Sequence, residues 1–288
     1  MTVSPLSGAP PMTIRLRTLT GRTSRSSTRR SVVPMPIKQL SGPILIVALW
    51  WLATATGIVS ERSLPSPGAV AEAGWDLTLS GELPGHIWTS LQRVVIGLAI
   101  GLFVALVIAG AAGTSRRAEI LMDPTMQVLK AVPNYAIVPL LILWFGIDET
   151  PKVILIAVSA ALPIYINTFG AIRNVDTRLV EAGRTLGLGR LAMIRHVVMP
   201  GALPGFLVGL RLSLTSAWLA LVFAETINAN SGLGSLMADA REWYRIDIMV
   251  VVVVVYAALG LLSYALVRWL EKKLLAWRPT FTGGGDDR

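Results

Sequence analysis

Three stretches of this chain, Val94–Gly113, Val153–Ile172 and Ile248–Val267, each run for 20 residues without a charged side chain. A bilayer core asks for about 20 apolar residues at helical rise. Lipid offers no partner to an unpaired backbone group, so such a run is read as a transmembrane helix. Two further runs, Pro43–Val59 and Ala131–Ile147, have 17 residues each, at the short end of what still spans. Gly201–Ala224 is longer and carries one charge, Arg211. The reading is an all-α integral membrane protein with about six transmembrane helices. Composition agrees: 53% of the 288 residues are hydrophobic, 15% are charged, and mean hydropathy is +0.62. A soluble domain must cover itself with more polar surface than that.

Basic residues set the expected orientation, because Lys and Arg accumulate on the cytoplasmic side of a membrane protein. With six spans and the N-terminus inside, segments 1–42, 114–123, 173–199 and 268–288 face the cytoplasm and hold 19 Lys/Arg. The outer segments 60–86, 148–152 and 225–247 hold 4. Both termini are therefore expected in the cytoplasm of a cell inner membrane. The formal charge of +9 is accounted for by this bias, without nucleic acid as a partner.

Residues 1–42 are rich in Ser, Thr, Pro and Arg and contain no acid, the composition of a disordered tail. Thr28-Arg29-Arg30-Ser31 ahead of an apolar run imitates a twin-arginine signal, but the further spans that follow argue for an anchor. Cysteine is absent, which removes disulfides and thiolate metal ligands. His86 and His196 lack ligand spacing, so no metal site is expected. On the outer side, Leu64–Gly68 reads as a turn. Ala69–Leu79 after it reads either as a short amphipathic helix at the membrane surface or as a plain connector. Residues 225–247 read as a loop with tight turns and then a short helix ending near Tyr244.

The cytoplasmic segment between the fourth and fifth spans carries Arg173, Arg178, Arg184, Arg190 and Arg195. Asp176 is a reasonable helix N-cap, and Gly187 stands where a helix C-terminus takes a left-handed residue. A second short helix, Gly189–Met199, is expected to stop at Pro200. Leu179, Val180, Ala182 and Leu186, then Leu188, Leu191, Ile194 and Val197, give each helix an apolar side. Such a hairpin is too polar for lipid and too apolar to float free. It docks on a protein partner, or it packs only against its own bundle.

Glu181-Ala182-Gly183, three residues, Gly187, nine residues, Val197, one residue, Met199-Pro200 resembles the EAA motif of ABC importer permeases. That pattern is Glu-Ala-Ala, three residues, Gly, nine residues, Ile, one residue, Leu-Pro. The spacing is intact, and Gly183, Val197 and Met199 depart mildly. The likeness covers about residues 60–275. Leu64–Pro67, Ser80–Leu83, Ile142–Glu149, Pro163–Thr168 and Ala224–Gly232 are similar to the permeases of aliphatic-sulfonate importers. Permeases for nitrate, taurine and thiamine precursors share much of this.

The resemblance implies a type I importer transmembrane domain whose Glu181, Ala182, Gly183, Gly187 and Pro200 form a coupling helix against the ATPase. It implies a cytoplasmic ABC ATPase dimer, a periplasmic substrate-binding protein, a permease homodimer, and ATP bound on the partner subunit, with no catalytic residue or cofactor on this chain. The chain contains no Gly-x-x-x-x-Gly-Lys-Ser/Thr phosphate loop of its own. The expected layout is a tail over 1–42, a first span over 43–59, a periplasmic connector over 60–86, the permease domain over 87–270 and a cytoplasmic tail over 271–288.

Polar groups inside the spans are the pathway candidates. Arg211 falls about 15 Å into the fifth span, near the midplane, where a cation would attract a sulfonate or would bond backbone carbonyls at a helix interface. Asn134 is a weaker candidate. Pro133, Pro139 and Pro163 are expected to kink their spans. Glu225, at an outer span end, reads equally as a gating or binding-protein contact and as a solvated acid. An ion-gradient transporter is disfavoured because no acid is expected well inside a span.

Overall fold

A computed structural model describes residues 35–61 and 63–277. The tail before Met35 and the residues after Trp277 lie outside the described residues, including the Arg29-Arg30 pair. The chain divides into two units, one ending at Ile46 and one beginning at Val47. The first holds the opening turns of α1 (Met35–Ala55). Everything below belongs to the second.

After α1 the backbone turns through Gly57, which has φ +71°, and Trp50 Nε1 donates to the carbonyl of Pro65 at 3.0 Å. Ser66 then caps α2 (Pro67–Leu79) by accepting from the Ala69 N–H, so the connector is helical. The long α3 (Glu82–Thr114) follows, then α4 (Arg116–Ala131), a 3₁₀ turn over Asn134–Ile137 and α5 (Val138–Phe145). Next comes α6 (Glu149–Arg173). The basic segment forms α7 (Thr177–Thr185), α8 (Arg190–Met193) and a π turn over Ile194–Val198 that runs into α9 (Met199–Asn228). Finally α10 (Leu233–Glu242) leads to α11 (Ile246–Leu274). No strand occurs among the described residues.

The middle of the domain is α6, flanked along its length by α3 and α9. Both flanking helices present a small residue every fourth position. On α3 these are Gly97, Gly101, Ala105 and Ala109, all buried. A methyl at Gly97 would stand 2.6 Å from Ile156 Cγ2, and one at Gly101 would run into the Ala157 carbonyl. On α9 the row is Gly201, Gly205, Gly209, Ser213 and Ala217. A methyl at Gly205 would overlap Ala171, and Ser213 Oγ donates to the Ala160 carbonyl at 2.5 Å. In lipid the water-driven term is absent between helices, so close backbone approach at such rows supplies the packing. The outward faces stay apolar, as at Phe103, Leu143 and Leu261, which suits contact with acyl chains.

Two expectations need correcting. Among the described residues four helices, within α3, α6, the stretch Arg190–Ile227 and α11, are long and apolar enough to cross a bilayer. The expected span Ala131–Ile147 is not one helix: α4 and the 134–145 segment meet at 85°. Val132 is extended with ψ 125° ahead of Pro133, because the proline ring disfavours helical geometry in the residue before it. Counted as one broken span, this pair makes five; the apolar part of α1, Gly42–Ala55, is shorter than a full crossing. The second correction concerns Pro200. It does not stop a helix but sits in the first turn of α9. The wider π turn just before it spares a hydrogen bond that proline cannot donate, and helix continues from Arg190 to Ile227.

Candidate coupling surface and translocation path

The hairpin is built by its caps. Asp176 accepts from the Arg178 N–H at 2.9 Å to start α7. At the other end Leu188 N–H donates to the Gly183 carbonyl at 3.0 Å and Gly187 N–H to that of Arg184 at 2.9 Å. These are the two bonds of a Schellman closure, which needs its left-handed residue at Gly187, φ +76°. Gly183 is buried beneath Met193, and a methyl there would come within 2.8 Å of Met193 Cε. An alanine there, as in the EAA pattern, would require the Met193 side chain to shift. Glu181 and Ala182 are exposed. So are Leu179, Leu186 and Leu191, with Leu186 and Leu191 at 80% and 79%. The tip of this capped turn is therefore apolar and left uncovered by the rest of the described chain.

The second region is a crevice of about 440 Å³ between α9 and α11, walled by Leu214, Leu219, Val253 and Tyr256 among others. Arg211 lies on its lining but is not a lone cation: Nη2 stands 2.5 and 2.6 Å from the two oxygens of Glu271. The guanidinium also sits 5.3 Å from the centre of the Tyr264 ring. Among the described residues no backbone carbonyl accepts from it. Trp218 Nε1 donates to Ser263 Oγ across the same crevice at 3.0 Å. Asn134 lies elsewhere and donates to Ser159 Oγ at 3.3 Å, tying the 3₁₀ turn to α6. The two pathway candidates are thus not brought together.

A third region was not assembled by reading the sequence. Glu225, expected at a span end as either a gating or binding-protein contact or a solvated acid, is 1% exposed, and Arg93 is 3% exposed. Arg93 Nε and Nη2 donate to the two oxygens of Glu149 at 2.6 and 2.7 Å, a bidentate fork. Its Nη1 donates to Glu225 Oε1 and to the Ser231 carbonyl, both at 2.6 Å. Ser90 Oγ, one turn earlier, lies 2.8 and 2.9 Å from the Glu225 oxygens and donates to that carboxylate. Gly234 N–H donates to Glu225 Oε2 at 2.8 Å. Lys152 adds a second cation, 3.1 Å from Glu149. A side chain at Gly232, φ +112°, would strike the Glu225 carboxylate, and one at Gly234 would strike Glu225 Cβ. The cluster therefore pins the α9–α10 loop and joins α3 to the first turn of α6 and the last turn of α9. The available signal was the pair of glycines two residues apart, seven and nine residues after Glu225, together with Arg93 just ahead of an apolar run.

A capped hairpin on a bundle of this kind can be compared with known proteins. The sequence model of the family described as "Binding-protein-dependent transport system inner membrane component" matches residues 97–276. The chain belongs to this family. It is a transporter permease component and a multi-pass protein of the inner membrane. The permease is 46% identical over 239 residues to the putative aliphatic sulfonates transport permease protein SsuC of Escherichia coli (strain K12), covering 83% of this chain and 91% of that protein. It is 42% identical over 247 residues to the protein of the same description from Bacillus subtilis (strain 168), covering 86% and 90%. Among solved structures, the inward-facing MetNI methionine ABC transporter superposes with a TM-score of 0.59 at 18% identity, over 66% of this chain and 94% of that one. The fold is that of a type I ABC importer transmembrane domain. Membership in this family implies ATPase and substrate-binding protein partners.

Proposed function

We propose that the permease passes small aliphatic sulfonates inward, as a homodimer above a cytoplasmic ATPase dimer that binds the ATP, supplied by a periplasmic binding protein. The observation that carries the coupling half of this reading is the Schellman-closed hairpin with Leu186 and Leu191 exposed at its tip. Closure of the ATPases would push Glu181–Gly187 as a lever, and the rigid continuity of Arg190 through α9 would carry the push into the membrane. The substrate half is supported by the names of the two sulfonate relatives and by the α9–α11 crevice, which offers an apolar wall and one guanidinium. Nitrate has no alkyl part to use that wall. The test is uptake of a labelled alkanesulfonate into proteoliposomes holding the permease, its co-purified ATPase and the binding protein. ATP-dependent uptake, competed by alkanesulfonates and not by nitrate, is expected; ATP-independent uptake would remove the ABC mechanism.

In this reading the termini and hairpin are cytoplasmic and the 60–86 connector is periplasmic. Cysteine at Arg190 should be labelled only from the cytoplasmic side. Cysteines at Asp76 and Tyr244, both on exposed outer segments, should be labelled only from outside. The absence of native cysteine keeps the readout clean, and periplasmic labelling at Arg190 would invert the arrangement.

Arg211 serves as an anion-guiding group in this proposal, and a sulfonate must then compete with Glu271 for it. Arg211→Glu should abolish uptake and destabilise the fold by placing two acids face to face, while Arg211→Gln leaves a partial rate. The exchange Arg211→Glu with Glu271→Arg separates the roles. It should restore the amount of folded permease and leave uptake low; recovery of uptake along with folding would make the pair a packing device only.

A further inference from the structure

Two hollows meet at the cytoplasmic face of the bundle. One, of about 680 Å³, lies on the inner side of the coupling hairpin and is lined by Arg173, Arg184 and Arg190, with Glu181 as the acid among its lining residues. The other, of about 520 Å³, is an apolar crevice reaching into the membrane region between α3, α6 and α9, with Leu106, Leu203 and Phe206 on its walls. They share Thr114, Ile172, Ile194 and Val198. The two are therefore one groove, basic at its mouth and greasy in its depth.

We infer that this groove binds an anionic glycerophospholipid of the inner leaflet, its phosphodiester among the arginines and its acyl chains along the crevice. The inference rests on the reading that places the hairpin at the cytoplasmic face. Three observations carry it. Charge is the first. Arg173 is 3.4 Å from Glu119, itself shared with Arg116. Arg184 and Arg190 have no ion-pair partner among the described residues, so the mouth keeps positive charge to offer. Basic pockets between transmembrane helices on the cytoplasmic side suit anionic headgroups.

The second observation is amphiphilic continuity: a free anion would use the mouth and leave the crevice unfilled, whereas a lipid fills both. The third is Thr168, which is 6% exposed on the crevice lining and whose hydroxyl has no hydrogen-bond partner among the described residues. A threonine in a helix ordinarily returns that proton to the carbonyl four residues back, as Thr114 does to Gly110. A lipid ester carbonyl beside Thr168 would accept it. Because the mouth is walled by Arg184 of α7 and Met193 of α8, the bound lipid would brace the coupling hairpin from the side opposite its exposed tip.

The experiment uses the permease–ATPase complex purified in detergent, stripped of lipid, and titrated with phosphatidylglycerol, with phosphatidylcholine and with inorganic phosphate, binding being read by native mass spectrometry. Phosphatidylglycerol should bind in preference to phosphatidylcholine, and inorganic phosphate should not displace it. Arg184→Gln with Arg190→Gln, both on exposed positions, should weaken phosphatidylglycerol about thirtyfold. Leu203→Trp, which fills the crevice and leaves the arginines alone, should weaken it as well. Equal phosphatidylglycerol retention in the arginine variant, or equal displacement by inorganic phosphate, overturns the assignment. Neither readout depends on transport, so a wrong substrate or coupling assignment would leave it standing.

Discussion

Arg93→Met should cost the folded permease about 3–5 kcal/mol, the range for removing one partner of a buried ion pair. The size follows from what is left behind. Glu225, fully enclosed, would keep the Ser90 hydroxyl and the Gly234 N–H but lose its countercharge. Glu149 would lose little, because its side chain is 55% exposed and water can replace the fork. Glu225→Gln should be milder, since Arg93 retains both oxygens of Glu149 and the Ser231 carbonyl. The double variant Arg93→Met with Glu225→Gln should recover more than half of the loss, because no unpaired charge remains buried. Thermal unfolding of the purified complex measures all three. A stable Arg93→Met single variant, or a double variant worse than the two losses added, would show that the cluster does not hold α3, α6 and α9 together. If the ranking holds, the cluster is what ties α3, α6 and α9 together at this end of the bundle.

The transmembrane helices were legible because their signal is additive and local: twenty uncharged residues at Val94–Gly113 or Ile248–Val267 leave a helix little alternative. The hairpin was legible for a related reason, since Asp176 and Gly187 mark a start and a stop by short-range backbone chemistry. What escaped was nonlocal or geometric. A kink at Pro133 is expected from the sequence, but apolar content over Ala131–Ile147 does not tell a kinked span from two helices meeting at 85°. Pro200 gave a stop signal that a single π turn overrode. Depth along a helix placed Arg211 near the midplane, but depth says nothing about Glu271, 60 residues later on another helix. Arg93 and Glu225 stand 132 residues apart, and nothing in either neighbourhood announces the other.

Gly187→Val should abolish ATP-driven uptake while the permease remains inserted in the membrane, and Gly187→Asn should retain a substantial part of it. The backbone at this position is left-handed, φ +76°, with open space around a would-be Cβ, so the defect is conformational and not a clash. A residue other than glycine costs about 1–2 kcal/mol there, and more when β-branched, whereas asparagine visits the region routinely. A penalty of that size shifts the hairpin between closed and frayed forms by roughly 5–30-fold, and it would fall on the bonds from Leu188 to Gly183 and from Gly187 to Arg184 that close the lever. Glu181→Lys should be as damaging by another route, because Glu181 is exposed on α7 and its charge is free to meet a partner. The measurement is uptake per inserted molecule in proteoliposomes, paired with retention of the ATPase on affinity-purified permease. Gly187→Val should retain less ATPase than Gly187→Asn, and Glu181→Lys should lose it with the cap intact. Undiminished uptake in both Gly187→Val and Glu181→Lys would mean that force enters the permease somewhere other than this hairpin.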